Sequence, residues 1–413
     1  MPDTPPIRIA SRDDLERSRA TVFFRLLLAI PHLLWLGIWS FGMVLLSPVM
    51  WIVTLVRRRP PDGLHDAYAM WIRYAVHVEA YLTLAANPYP GFLGAAGSYP
   101  VDAEIPRAAD VPEQGRWGVA FRVVLALPAM VLSSALGSGL STSSGGYRYS
   151  AGPLTVIPFL AWFAILARRR MPAGFEAATR YAIGYGAQTA AYLFLVTPRY
   201  PNAHPVEVAE ADPLPAHPVR LTISDDPRRS RLTIFFRLPL ALPHLVWLLL
   251  WSIPVYVSSV VAWLWTLVAG ELPAPLHRFY ARFVRYSAHV VAFLYTAAGP
   301  FPGFTGAPGS YPIDVEVDPR EPQNRWRTAF RGLLALPALL VASAIAGAAQ
   351  TAAIGAWFFS LFQARTPLGL RALMSWSLRY SAQLYAYGLF LTERYPYSAP
   401  GPCDRPAAPP PSG

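Results

Sequence analysis

Phe23-Phe24-Arg25-Leu26-Leu27-Leu28-Ala29-Ile30-Pro31-His32 opens a long apolar stretch, and its skeleton, Phe-Arg followed six residues later by Pro, returns three more times. The later copies are Phe121-Arg122 with Pro128, Phe236-Arg237 with Pro243, and Phe330-Arg331 with Pro337. Each copy precedes an apolar run, so the chain reads as a repeated membrane unit. The step after the proline sorts the copies: Pro31-His32 and Pro243-His244 against Pro128-Ala129 and Pro337-Ala338. Residues 6–35 align with 218–247 without a gap, matching Arg17-Ser18-Arg19 to Arg229-Ser230-Arg231. The organisation is therefore a tandem pair of two-copy halves. The first half is 1–211, made of sub-repeats 1–98 and 99–211. The second is 212–397, made of 212–309 and 310–397, and a disordered Pro-rich tail follows at 398–413.

Composition agrees with this reading. Hydrophobic residues are 54% of the chain and charged residues 14%, against roughly 25% charge in soluble proteins. The formal charge of +11 is carried by arginine, because the sequence contains no lysine; a GC-rich genome accounts for that bias. The first twenty residues mix acids and bases and hold no apolar h-region, which predicts no cleavable signal peptide and a cytoplasmic N-terminus. One cysteine, Cys403, leaves no disulfide framework and no thiolate metal site.

Each copy starts with a short alternating segment after proline: Ile7-Arg8-Ile9, Val101-Asp102-Ala103-Glu104-Ile105, Val219-Arg220-Leu221-Thr222-Ile223 and Ile313-Asp314-Val315-Glu316-Val317. Period-two alternation of this kind predicts strands. Unpaired strands are not tolerated in lipid, so they are expected to pair in one small cytoplasmic sheet, joined through Val206-Glu207-Val208.

The apolar stretch follows. Thirty-one residues separate Arg25 from Arg57, which as one helix would rise about 47 Å against a hydrocarbon core of about 30 Å. That length predicts a transmembrane hairpin turning near Ser40 to Gly42, and the Gly/Ser-rich segment from Gly137 to Gly152 supports a turn in copy two. A third helix carries Arg73-Tyr74, Arg180-Tyr181, Arg285-Tyr286 and Arg379-Tyr380, with His77, His289 or Gln383 one turn on. Its apolar run of about 13 residues is short for a span. An interfacial third helix keeps every arginine-rich entrance on one side, in keeping with the positive-inside bias; this favours eight spans, with twelve as the alternative. The predicted fold is an all-α polytopic membrane protein of four pseudo-repeats, each a short β-strand, a transmembrane helical hairpin and an amphipathic third helix.

The Phe-Arg-…-Pro run, the Arg-Tyr helix and the closing Tyr89-Pro90, Tyr200-Pro201, Phe301-Pro302 and Tyr395-Pro396 resemble the bacterial membrane family known as domain of unknown function 4389. The resemblance covers nearly the whole chain to about Ser398. It implies an integral membrane protein of actinobacterial type with no assigned reaction, and it supplies no catalytic residues.

Four groups of residues carry the candidate chemistry. Arg25, Arg122, Arg237 and Arg331 stand at the edge of the apolar run, where a guanidinium can bind a lipid phosphate or simply set topology. Arg278, Arg282 and Arg285 form a basic helical stripe suited to an anionic membrane surface. His32 with His244, and His77 with His289, are pseudo-symmetric pairs open to pH sensing; they lack the spacing of a zinc helix, and no cofactor or metal is expected. Ser343, Gly347, Thr351 and Gly355 fall four apart and suggest close helix packing. Phosphate-cradling loops, nucleophile elbows and paired carboxylates are missing from the sequence. The expected function is a non-enzymatic membrane scaffold or lipid-interacting accessory protein of the inner membrane. Its partners would be the bilayer, anionic lipids among them, and a membrane partner or a second copy, with no nucleic acid. The alternative is a transporter or channel subunit with a pathway between the halves.

Overall fold

A computed structural model describes residues 7–137, 140–143, 146–149, 151–209 and 213–401. It divides into two compact units, Met1–Asp212 and Pro213–Gly413. In the first, β1 (Arg8–Ser11), α1 (Arg19–Arg57) and α2 (Asp62–Leu82) lead to β2 (Val101–Glu104), α3 (Arg116–Ala120) and α4 (Arg122–Leu136). A strand pair, β3 (Leu140–Ser143) and β4 (Gly146–Tyr149), then separates α4 from α5 (Pro153–Arg168), α6 (Ala173–Leu193) and the short α7 (Pro205–Val208). The second unit runs β5 (Val219–Ile223), α8 (Arg231–Phe235), α9 (Arg237–Ala269) and α10 (Ala274–Leu294). It continues with β6 (Ile313–Val317), α11 (Arg325–Ala329), α12 (Arg331–Gln363) and α13 (Leu368–Gly388).

The expected hairpin is absent from three of the four apolar stretches. α1, α9 and α12 are continuous helices of 39, 33 and 33 residues, long and apolar enough to cross a membrane. The turn signals at Ser40 and Gly42 did not act because the chain gains more by staying helical: Ser40 accepts a hydrogen bond from the Trp71 indole at 3.0 Å. Only copy two breaks, and it does so with the β3–β4 pair. In copies two to four a shorter interruption falls on the phenylalanine of the motif: Phe121, Phe236 and Phe330 stand between consecutive helices.

Each long helix buries one narrow stripe. On α1 it comprises Val22, Arg25, Ala29, His32, Met43, Met50 and Thr54, spaced three, four, seven or eleven apart as a single packed face requires. The rest of its circumference is apolar and exposed, from Phe23 to Val56. The third helices form the core instead. α2 packs on α6, and α10 on α13, with Tyr68, Tyr74, Tyr81, Tyr280 and Tyr286 fully buried. On α12 the packed stripe is alanine, including Ala344, Ala348, Ala349, Ala352 and Ala356. Ser343 is exposed and Gly347, Thr351 and Gly355 are only half-buried, so the expected small-residue seam lies one step off the true interface.

The strands do not join into one sheet. β1 pairs antiparallel with β2, Arg8 opposite Glu104, and β5 pairs with β6, Arg220 opposite Glu316. Ile9, Val101 and Ala103 are buried, and so is Asp102, while Glu104 is exposed. The 206–208 segment is not a strand but part of α7, beside a single bridge from Ala209 to Ile9. Pairing crosses the copies: β2 opens the second copy yet lies on α2 of the first, and β1 lies on α6. At the start of the expected tail, Ser398 and Ala399 are buried and their carbonyls accept from Trp376 and Arg379. Residues 402–413, with Cys403, lie outside the described residues.

Candidate functional site

The motif arginines point inward. Arg25, Arg122, Arg237 and Arg331 are 2–3% exposed, and each guanidinium meets the carboxyl-terminal end of a third helix. Arg25 Nη1 donates to the Tyr81 and Ala86 carbonyls at 2.7 and 2.8 Å. Arg331 Nη1 does the same to Tyr387 and Thr392 at 2.9 and 3.2 Å. Arg237 reaches Phe293 and Ala298, and Arg122 reaches Thr197 and the Gln114 side chain. Each also stacks on an aromatic ring of the same helix: Tyr81, Tyr192, Phe293 or Tyr387, 4.1 to 4.8 Å away. A helix ends with unsatisfied carbonyls and partial negative charge. A buried cation with several donors answers both, so these residues close helices and are withdrawn from lipid headgroups.

A second residue, eight positions before each arginine, completes the closure. Just past each third helix the chain enters the left-handed region at Leu84, Leu195, Thr296 or Phe390. The carbonyl of that residue accepts from Arg17, Gln114, Arg229 or Gln323. The backbone N–H of the same four residues donates to the end of the other long segment of the unit. Arg17 bonds Arg169, Gln114 bonds Arg58, Arg229 bonds Ala364 and Gln323 bonds Gly270. Asp13 and Asp225 hold the two arginines of this set at 2.5 Å. Sequence reasoning missed these residues; the signal was their constant distance from the motif arginine.

The histidines split into two structural roles. His32 Nδ1 lies 2.7 Å from the Tyr74 hydroxyl, with its ring 4.4 Å from both Phe92 and Tyr89; His244 repeats this with Tyr286, Phe304 and Phe301. Where alanine replaces histidine, the Tyr200 and Tyr395 hydroxyls meet the backbone of Ala129 and Ala338 instead. The Pro-His and Pro-Ala alternation is thus a matter of what fills the space under the closing aromatic. His77 and His289 bind Asp102 and Asp314 on the strands, at 2.7 and 2.9 Å. Burial would raise the Asp102 carboxyl. Hydrogen bonds from His77 and from the Gly97 and Ala103 N–H groups outweigh it and hold the group below the ordinary carboxylate range; Asp314 is held likewise. Glu79, two residues from His77, projects from nearly the opposite side of α2, so the two do not form one site, and burial pushes its carboxyl up to about 7.

The basic stripe of α10 divides too. Arg285 is buried, donating to the Val315 and Gly306 carbonyls at 2.9 and 3.1 Å. Arg278 and Arg282 are exposed and, among the described residues, make no ion pair. They line a cleft of about 540 Å³ with Trp247, Trp251, Phe279 and Phe304. At the matching positions of the first unit stand Trp35, Trp39, Ala67 and Phe92, but Asp66 and Met70 replace the arginines.

The model of the family described as domain of unknown function (DUF4389) matches residues 19–94, 231–304 and 325–399, together more than half of the chain. The chain belongs to the DUF4389 family. Each DUF4389 match begins on the long apolar helix or the short helix before it, and takes in the third helix with its left-handed exit. The unmatched stretch includes copy two, whose apolar segment is the one interrupted by β3 and β4. No curated protein and no solved structure matches the chain.

Proposed function

We propose that the protein is a non-enzymatic membrane protein of four related units, residing in the bacterial inner membrane with its N-terminus cytoplasmic and acting as a scaffold or accessory that holds anionic phospholipid. The observation that carries the reading is the cleft at Arg278 and Arg282. Two unpaired guanidiniums stand at the rim of a wall of tryptophan and phenylalanine, which suits a lipid with its phosphate at the arginines and its chain along Trp247 and Trp251. The buried motif arginines support the non-catalytic part, since their donors serve helix ends.

The test is lipid retention by the full chain in detergent, titrated with micelles containing phosphatidylglycerol or phosphatidylcholine. A basic residue near an anionic surface contributes about 1 kcal/mol, so Arg278→Gln with Arg282→Gln should weaken phosphatidylglycerol binding about 30-fold and leave phosphatidylcholine unchanged. Equal binding of both lipids by the unaltered protein would overturn the proposal.

A further inference from the structure

We propose that the long apolar helices lie along the membrane, sunk into a single leaflet, with the strand pairs facing water. This rests on the membrane reading above and concerns how the protein meets the bilayer; the partner is the acyl-chain layer of one leaflet.

Length is the first argument. On α1, exposed apolar side chains run from Phe23 at 60% to Val56 at 67%, about 50 Å of helix. The hydrocarbon core is about 30 Å. A crossing helix would have to tilt by more than about 50° to hide that run, beyond the usual range of about 0–40°. On α9 the exposed run extends from Leu238 at 70% to Val268 at 75%, about 45 Å. Lying flat removes the mismatch, and a helix about 10 Å across fits within a leaflet of about 15 Å.

The strands supply the second. They are beside the middle of the third helices, not beyond an end. Arg73, just past the midpoint of α2, donates to the Ala103 and Ile105 carbonyls at 3.2 and 3.3 Å. Its neighbour Tyr74 contacts His32 on α1, one-third of the way along that helix. The outer face of the strand pair carries exposed Glu104 and half-buried Arg8. If α1 crossed, this face would stand at membrane depth, where exposed charge and strand edges are not tolerated. Sliding the bilayer toward Val56 frees the strands only by leaving Phe23, Phe24, Leu26, Leu27, Ile30 and Leu33 in water. The second unit repeats the geometry, with Arg285 on Val315, Tyr286 on His244 and Glu316 exposed.

Charge supplies the third. α1 begins beside the end of α5, where Arg19 donates to the Ala167 carbonyl and Arg17 to that of Arg169. It ends beside α3, where Trp51 donates to Val119 and Gln114 to Arg58. The apolar segments of the unit are therefore antiparallel. Crossing would put Arg57, Arg58 and Arg59 on one side of the membrane and Arg168, Arg169 and Arg170 on the other, against the positive-inside bias. With α1 lying flat, both clusters stay on one side.

Single cysteines in a Cys403→Ser background test the arrangement in intact cells and in inverted vesicles. Asp14→Cys and Asp62→Cys, at opposite ends of α1, and Glu104→Cys on the strand pair should all react with an impermeant maleimide from the same side. Asp226→Cys and Glu271→Cys should behave alike at the two ends of the second unit's long segment. Reaction of Asp14→Cys and Asp62→Cys from opposite sides overturns the proposal while leaving the membrane reading intact. Full extraction of the protein by alkaline carbonate, with the apolar faces buried between copies in solution, overturns both. Glu16→Cys and Gly63→Cys replace any variant that fails to accumulate.

Discussion

Replacing Arg25 by methionine keeps the aliphatic volume and removes the guanidinium from the end of α2. Four hydrogen bonds are lost, two short ones to Tyr81 and Ala86 at 2.7 and 2.8 Å and two longer ones to the Asn87 carbonyl and side chain at 3.4 and 3.3 Å, together with the contact over the Tyr81 ring at 4.4 Å. Charged hydrogen bonds contribute roughly 1.5–3 kcal/mol each, so the two short ones alone account for a gross loss of about 3–6 kcal/mol. Relief of the buried charge's desolvation returns part of this, while the Tyr81 carbonyl keeps the Leu84 N–H at 3.2 Å and the Ala86 carbonyl loses its arginine donor. The net expectation is a destabilisation of about 3 kcal/mol, a large part of the roughly 5–15 kcal/mol that holds a typical domain. Arg25→Lys keeps the charge near the helix end but cannot fork to both carbonyls, and should fall between the two. Thermal unfolding in detergent, followed by tryptophan fluorescence, measures the effect. Arg237→Met should match Arg25→Met. A wild-type midpoint for Arg25→Met, combined with lost binding to anionic lipid, would refute the closure role and return the arginine to the headgroups.

Gly94→Ala should be far more damaging than Gly97→Ala. Both glycines have positive φ, but an added Cβ at Gly94 would fall 2.2 Å from the Met70 carbonyl oxygen while the one at Gly97 meets open space; expected losses are above 2 kcal/mol and about 1 kcal/mol, read from thermal midpoints. Acid should weaken the strand attachment. Asp102 and Asp314 titrate lower when folded than unfolded, so their contribution is fully present above the unfolded value near 4 and is lost as pH falls through the folded one. Asp102→Asn combined with Asp314→Asn should flatten the stability profile below about pH 4, and an unchanged acid limb would count against the His-Asp contacts.

Much of the architecture could be read from the residues. The Arg-Tyr spacing located the third helices, and the alternating segments after proline located the strands. The long helices were misjudged because length was weighed against a perpendicular bilayer; Ser40 and Gly42 resemble turn residues, yet Trp71 and open space are what they meet. Arginine beside an apolar run suggests lipid, and only the fold shows Tyr81 arriving beneath Arg25. A trace was available: the separation between motif arginine and aromatic is 56 residues in three copies. The left-handed exits had no comparable trace, since Leu84, Leu195, Thr296 and Phe390 are not residues that favour that conformation. Of the proposed lipid-binding arginines, Arg278 and Arg282 are the ones that stand on the surface.

The reciprocal bonds within the first unit bear on its biosynthesis. Arg17 needs the Arg169 carbonyl, the Ile7 carbonyl is held by Gln188, and Ile9 is bridged to Ala209. β1 can pair with β2 once residue 104 is made, but its contacts with Gln188 and Ala209 wait for the end of the unit, a separation of about two hundred residues in a chain where loop closure slows folding. Until then α1 has α2 beside it but lacks α5. Such a nascent chain depends on early delivery to the membrane, and truncation before Gln188 should yield a product that the quality-control machinery removes.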